Sequence, residues 1–113
     1  MDSLKQQIIR QRLTLIKQIV AKDKNGESFF IIGREKNRSF MLEQSLLFDD
    51  IKQIILNLKI EDYTKGPELD DGGYKGEIWV FEPIFEKIKL YIKLRLENLT
   101  IVVCISIHEY GIY

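Results

Sequence analysis

Between residues 87 and 108 apolar and polar side chains alternate twice around a break at Glu97-Asn98, and that pattern restricts the chain to folds built on a β-hairpin. In the first half Ile88, Leu90, Ile92, Leu94 and Leu96 share one face, and Lys87, Lys89, Tyr91, Lys93 and Arg95 share the other. In the second half Ile101, Val103, Ile105 and Ile107 alternate with Thr100, Val102, Cys104, Ser106 and His108. Asn98 suits the turn because asparagine tolerates positive φ. A two-residue turn at Glu97-Asn98 sets Tyr91 opposite Cys104 and His108 opposite Lys87; a four-residue loop over 97–100 sets Tyr91 opposite Ser106 and His108 opposite Lys89. Either register pairs the two apolar faces and brings the only histidine onto the cationic face, because side chains directly across a ladder share a side. An imidazole, a group able to give or take a proton, set among fixed positive charges, is the candidate site.

A chain of 113 residues supports one domain, 1–113, with a single packed core. No apolar run reaches the roughly 20 residues of a membrane-spanning helix, and Met1-Asp2-Ser3-Leu4-Lys5 lacks the apolar segment of a signal peptide. The expectation is a cytoplasmic protein with no membrane partner. One cysteine excludes an internal disulfide, and with one histidine it leaves too few soft ligands for structural zinc. No metal and no cofactor are expected. The formal charge is zero, which argues against broad affinity for nucleic acid, yet it is unevenly spread: residues 1–40 carry +5, residues 41–86 carry −7 and residues 87–113 carry +2.

Residues 3–21 have the spacing of an amphipathic helix, with Ser3 and Gln6 placed as a capping box and Leu4, Ile8, Ile9, Leu13, Ile16, Ile19 and Val20 on one stripe. Its basic face, with Lys5, Arg10, Arg12 and Lys17, is a solvated surface or a contact for an RNA backbone. Asp23-Lys24-Asn25-Gly26 ends the helix, and residues 28–32 form a short strand. A polar loop over 33–38 leads to a short helix or turn from Phe40, and Asp49 can cap a further helix whose core stripe is Ile51, Ile54, Ile55 and Leu58. From Lys59 to Gly76 the pattern breaks into an irregular acidic and glycine-rich loop, and residues 76–81 then enter a strand. The fold class expected is α+β: an antiparallel sheet of three or more strands with the N-terminal and central helices packed on one face.

Three chemistries can be weighed on these residues. Glu68, Asp70 and Asp71 lack the spacing of a calcium loop. Cys104 and His108, four residues apart on one strand, are separated by roughly 13 Å and cannot form a thiol–imidazole dyad, so Cys104 is expected to pack. Cleavage of RNA by attack of the ribose 2′-OH on the adjacent phosphate needs a base, an acid and fixed positive charge, and no metal. His108 can serve as base or acid, its partner coming from Tyr91, Lys65, Lys93 or Glu109, with lysine and arginine on the phosphate.

Glu61-Asp62-Tyr63-Thr64-Lys65, Gly76-Glu77-Ile78-Trp79, Tyr91-Ile92-Lys93-Leu94 and Cys104-Ile105-Ser106-Ile107-His108-Glu109 follow one another with gaps that resemble the MqsR family of type II toxins, within the RelE-like group of messenger RNA interferases. The resemblance covers roughly residues 37–109. It implies a small α+β ribonuclease (a RelE/MqsR-like fold) that cuts single-stranded mRNA without a metal, and a cognate antitoxin, often with a zinc-binding domain, that holds it inactive. The family's loop lysine falls on Lys65 and its strand tyrosine on Tyr91; its lysine near the end of the last strand falls on His108, and its glutamine after the strand tryptophan falls on Val80, which cannot hydrogen-bond a substrate. The resulting expectation is an endoribonuclease with His108, Tyr91 and Lys65 as catalytic residues and Lys89, Lys93 and Arg95 on RNA phosphates. The competing expectation is a non-catalytic module that binds RNA or protein through the same basic face.

Overall fold

The computed structural model describes residues 3–69 and 76–112. Ser3 caps the first helix as its spacing to Gln6 predicts: the Gln6 amide donates to Ser3 Oγ at 3.1 Å and the Ser3 amide to Gln6 Oε1 at 3.2 Å. Helix α1 (Leu4–Lys22) buries Ile9, Leu13, Ile16, Ile19 and Val20, while Leu4 and Ile8 of the expected stripe stay exposed. It ends at Asp23, whose carboxylate accepts from the amides of Gly26, Ser28 and Phe29 and pairs with Lys52 Nζ at 2.7 Å. Burial raises the pKa of this group, but the Lys52 ammonium and the three amides outweigh it and hold the carboxyl well below its usual range. One carboxylate thus closes α1 and fixes the start of strand β1 (Phe29–Ile31).

Helix α2 (Glu35–Glu43) occupies most of the stretch expected to be a polar loop. Only Asn37 and Phe40 of this helix are buried, so it carries almost no apolar periodicity to betray it. Helix α3 (Phe48–Leu56) buries the expected Ile51, Ile54 and Ile55, but Asp49 does not cap it: Leu47 is the N-cap residue, and Asp50, in the first turn, reaches back to accept from the Leu47 amide at 2.8 Å.

The expected irregular loop over 59–76 is partly ordered. A 3₁₀ turn at Ile60–Asp62 leads into strand β2 (Tyr63–Leu69), and the acidic run at Asp70-Asp71-Gly72-Gly73 lies outside the described residues. Strand β2 tolerates Gly66-Pro67 because it is an edge strand with two register irregularities. A Cβ on Gly66 would stand 2.7 Å from Ile78 O and 2.9 Å from Trp79 Cε3, so glycine is what lets β2 approach its neighbour.

With β3 (Glu77–Phe81), β4 (Ile84–Phe85), β5 (Ile88–Glu97) and β6 (Ile101–Glu109), the sheet has the order β1-β6-β5-β3-β2, and β4 pairs with the start of β5. The expectation of an antiparallel sheet is corrected to a mixed one: β3, β5 and β6 are antiparallel, but β1 runs parallel to β6, with Phe29 beside Val102 and Ile31 beside Cys104. The chain leaves α1 at the end where β6 starts, and β1 takes the free edge of β6 in the same direction, its flanks tied by Val102 N to Ser28 O and Ile32 N to Cys104 O, both at 2.9 Å. Trp79, Phe81, Leu90, Ile92, Leu94, Leu96, Val102, Cys104 and Ile107 meet the buried residues of all three helices in one core on the inner face of the sheet. Each such aliphatic or aromatic side chain contributes about 1.5–3 kcal/mol on burial.

Neither expected hairpin register is adopted. Glu97 pairs with Ile101, which leaves the three-residue loop Asn98-Leu99-Thr100 with positive φ at Asn98 and Leu99. An odd loop shifts the parity, so Val102 and Cys104, not Val103, face the core. The ladder then runs Leu94 to Cys104 but Lys93 to Ser106, which makes Ile105 an extra, unpaired residue. Beyond this bulge Ile92 pairs with Ile107, which returns to the core, and Tyr91 pairs with His108 on the outer face. Among the described residues no helix is long and apolar enough to cross a membrane.

Candidate active site

Tyr91 and His108 sit directly opposite each other in the ladder, and their rings stack with centroids 5.4 Å apart and planes inclined by 24°. His108 is only 4 % exposed, and its Nδ1 lies 2.9 Å from Glu109 O, within hydrogen-bond distance. The adjoining outer row is Ser106, Lys93, Val80 and Lys65, each paired with the next across β6, β5, β3 and β2. Direct cross-strand partners share a face, so Lys65 and Lys93 flank Val80 on the side that bears His108. Strand spacing puts Lys65 about 14 Å from β6. The Lys65 side chain is half exposed and lies 3.6 Å from Glu68, whereas Lys93 has no ion-pair partner among the described residues.

The other expected cations are differently engaged. Lys89 lies 3.6 Å from Glu82 and 4.3 Å from the Tyr110 ring centroid, at the end of the sheet. Arg95 is 8 % exposed, and its Nε donates to Glu97 Oε2 at 2.7 Å. Cys104 points into the core, on the opposite face from His108, and burial pushes its thiol pKa up to about 12. Glu109 is exposed and follows His108 at the strand end.

Two residues absent from the sequence-based site join it. Arg34, just ahead of α2, donates from Nη1 to Ser106 Oγ at 2.8 Å and so hangs a guanidinium over the row that contains Lys93. Asn37, only 1 % exposed, spans β1 and β6: its Nδ2 donates to Ile32 O at 2.9 Å and Ile105 O at 3.0 Å, and its Oδ1 accepts from the Ile107 amide at 2.8 Å. Nothing local announces either contact, which joins positions about 70 apart; the only signal was that 33–38 is polar. Between α2 and the end of β6 opens a cavity of about 530 Å³, lined by Arg34, Lys36, Phe40, Ile88, His108 and Glu109 among others. The buried His108 thus forms part of the wall of this cavity. Among the described residues no three His, Cys, Asp or Glu side chains are grouped to hold a metal ion.

The arrangement can therefore combine one titratable ring, held by a stack and a carbonyl, with three cationic groups on Lys65, Lys93 and Arg34. No model of a known protein family matches the chain, and no curated protein does.

Proposed function

We propose that this chain is a metal-independent endoribonuclease that cuts single-stranded messenger RNA, the toxin of a toxin–antitoxin pair, with a RelE/MqsR-like fold. The observation that carries the reading is the Tyr91–His108 stack bordered by Lys93 and by the Ser106-bound Arg34. In the reaction the ribose 2′-oxygen attacks the adjacent phosphorus, a base takes the hydroxyl proton, and the departing 5′-oxygen receives a proton, which leaves a 2′,3′-cyclic phosphate and a 5′-hydroxyl. His108 is the general acid or base, Tyr91 fixes its ring, and Lys65, Lys93 and Arg34 stabilise the charge on the five-coordinate phosphate. Lys89 and Arg95 already face Glu82 and Glu97, and on this reading they contribute positive field rather than direct phosphate contacts. Cytoplasmic action on messenger RNA and restraint by a cognate antitoxin, with or without a zinc-binding domain, belong to the same proposal.

The low exposure of His108 favours a second reading, a non-catalytic module that binds RNA or protein through the basic face. Incubation of long messenger RNA with the protein in EDTA, followed by analysis of product ends, separates the two. A nuclease leaves 2′,3′-cyclic ends, and His108→Ala lowers kcat by about 10²–10⁴ with circular dichroism unchanged. An equally active His108→Ala variant removes His108 from the chemistry. Absence of cleavage by the folded wild type, alone and on translating ribosomes, with RNA binding weakened by Lys93→Glu and unaffected by His108→Ala, leaves the binding module.

A further inference from the structure

The side of the sheet on which His108 lies is decided by one extra residue, and we propose that Asn37 is the positioning residue that holds that extra residue in place. From the hairpin loop inward the ladder counts Glu97 to Ile101, Leu96 to Val102 and Leu94 to Cys104. Continued without interruption, the same count sets Ile92 against Ser106, Tyr91 against Ile107 and Leu90 against His108. That would put a serine and the imidazole on the core face and an isoleucine on the outer one. The insertion at Ile105 reverses the parity, so that Ile107 enters the core and His108 meets Tyr91.

A bulge breaks the ladder, and the freed backbone groups need partners when they are buried. On the side of β6 away from β5, strand β1 has already ended: its pairing with β6 stops at Cys104, and Ile32 N makes the last bond to Cys104 O. The Asn37 carboxamide takes over from that point. It binds Ile105 O on the bulged residue and Ile107 N just past it, while its second amide hydrogen anchors it to Ile32 O. Two of the three hydrogen bonds of one buried side chain are thus directed at the segment that carries His108. Arg34, three residues earlier, binds Ser106 between those two contacts. The hydrophobic pattern selects the bulged register, and Asn37 fixes its geometry.

This inference concerns the placement of His108 and stands apart from the nuclease reading; only its kinetic consequence rests on that reading. His108 is the only histidine in the chain, so its imidazole resonances are unique. Nuclear Overhauser contacts between the His108 and Tyr91 rings, and the upfield ring-current shift of the imidazole protons, report the stack directly. In Asn37→Ala the contacts are lost and the shifts move toward the random-coil position, while signals of β3 and the second half of β5, from Leu94 to Glu97, stay in place. Deletion of Ile105 supplies the second arm. With one residue fewer, the uninterrupted count sets His108 opposite Tyr91 without a bulge, so Asn37→Ala in that background leaves the contact intact. An undiminished stack in Asn37→Ala overturns the proposal. If Asn37→Ala fails to fold in the full chain, the deletion background decides: loss of the stack there on adding Asn37→Ala overturns it, and retention supports it. Where wild-type cleavage is measurable, Asn37→Ala lowers kcat about 10–100-fold with KM within about twofold. Absence of wild-type cleavage counts against the nuclease reading and leaves the spectroscopic result as it stands.

Discussion

Cys104 and Asp23 show how far a single residue's surroundings decide its chemistry. The Cys104 thiol is fully enclosed by the core, and burial raises its pKa from 9.0 to about 12. Ellman's reagent at pH 8 should therefore leave the folded protein unlabelled and label one thiol on unfolding. Because the unfolded thiol ionises first, the contribution of Cys104 to stability is complete below pH 9 and declines as pH rises toward 12, a slope that Cys104→Ala should remove in urea titrations. Asp23 behaves oppositely. Its folded pKa is depressed, so its stabilisation is full above the unfolded value of 3.8 and is lost as pH falls below it. Asp23→Ala, which removes the acceptor of three amides and the carboxylate partner of Lys52, should cost about 2–4 kcal/mol at pH 7. At this scale the sequence was informative where chemistry is local: Ser3 with Gln6 spelled out a cap, and Cys104 was expected to pack. It was silent on Asn37, whose partners lie 68 and 70 positions away.

Elements were legible in proportion to the regularity of their apolar pattern. Helices α1 and α3 and strands β3, β5 and β6 follow from periodicity, whereas α2, with two buried residues, is legible only from Phe40 onward, its first turn reading as a polar loop. Strand β2 was hidden by Gly66-Pro67, a pair that breaks a central strand and is tolerated at an edge. That tolerance has a condition: Gly66 has φ +131°, and its hydrogen faces the Ile78 carbonyl and the Trp79 ring. Gly66→Ala should lift β2 from β3 and cost about 2–3 kcal/mol, visible as a lower denaturation midpoint and faster amide exchange in β2. The hairpin shows the other limit. Alternation correctly assigned the faces of β5 and put His108 on the face that bears Tyr91, Lys93 and Arg95, but opposite Lys87 or Lys89 rather than Tyr91, because two compensating irregularities, the three-residue loop and the Ile105 bulge, left no trace in the pattern of 101–108.

For the whole molecule, charge separation matters more than the zero sum. If RNA binds along the row from Lys65 to Arg34, about three phosphates are neutralised, and the logarithm of the affinity should fall with that of salt with a slope near −2. Titration of His108→Ala with single-stranded RNA from 50 to 300 mM salt tests this; a slope near zero would move the binding surface elsewhere. The α+β class was readable from the alternation of helical and strand patterns, but the mixed character of the sheet was not, because a parallel pair between residues 29–31 and 102–104 leaves no local mark. That pairing also sets the timing of assembly during translation. The strand synthesised last among those described, β6, lies inside the sheet, between β1 and β5. Until residues 101–109 have left the ribosome, β1 has no neighbour, the inner faces of α1 and α3 have only part of their cover, and His108 does not yet exist to meet Tyr91. The nascent chain therefore carries an unclosed core and an open β5 edge until β6 emerges, and then acquires core and site together in one step.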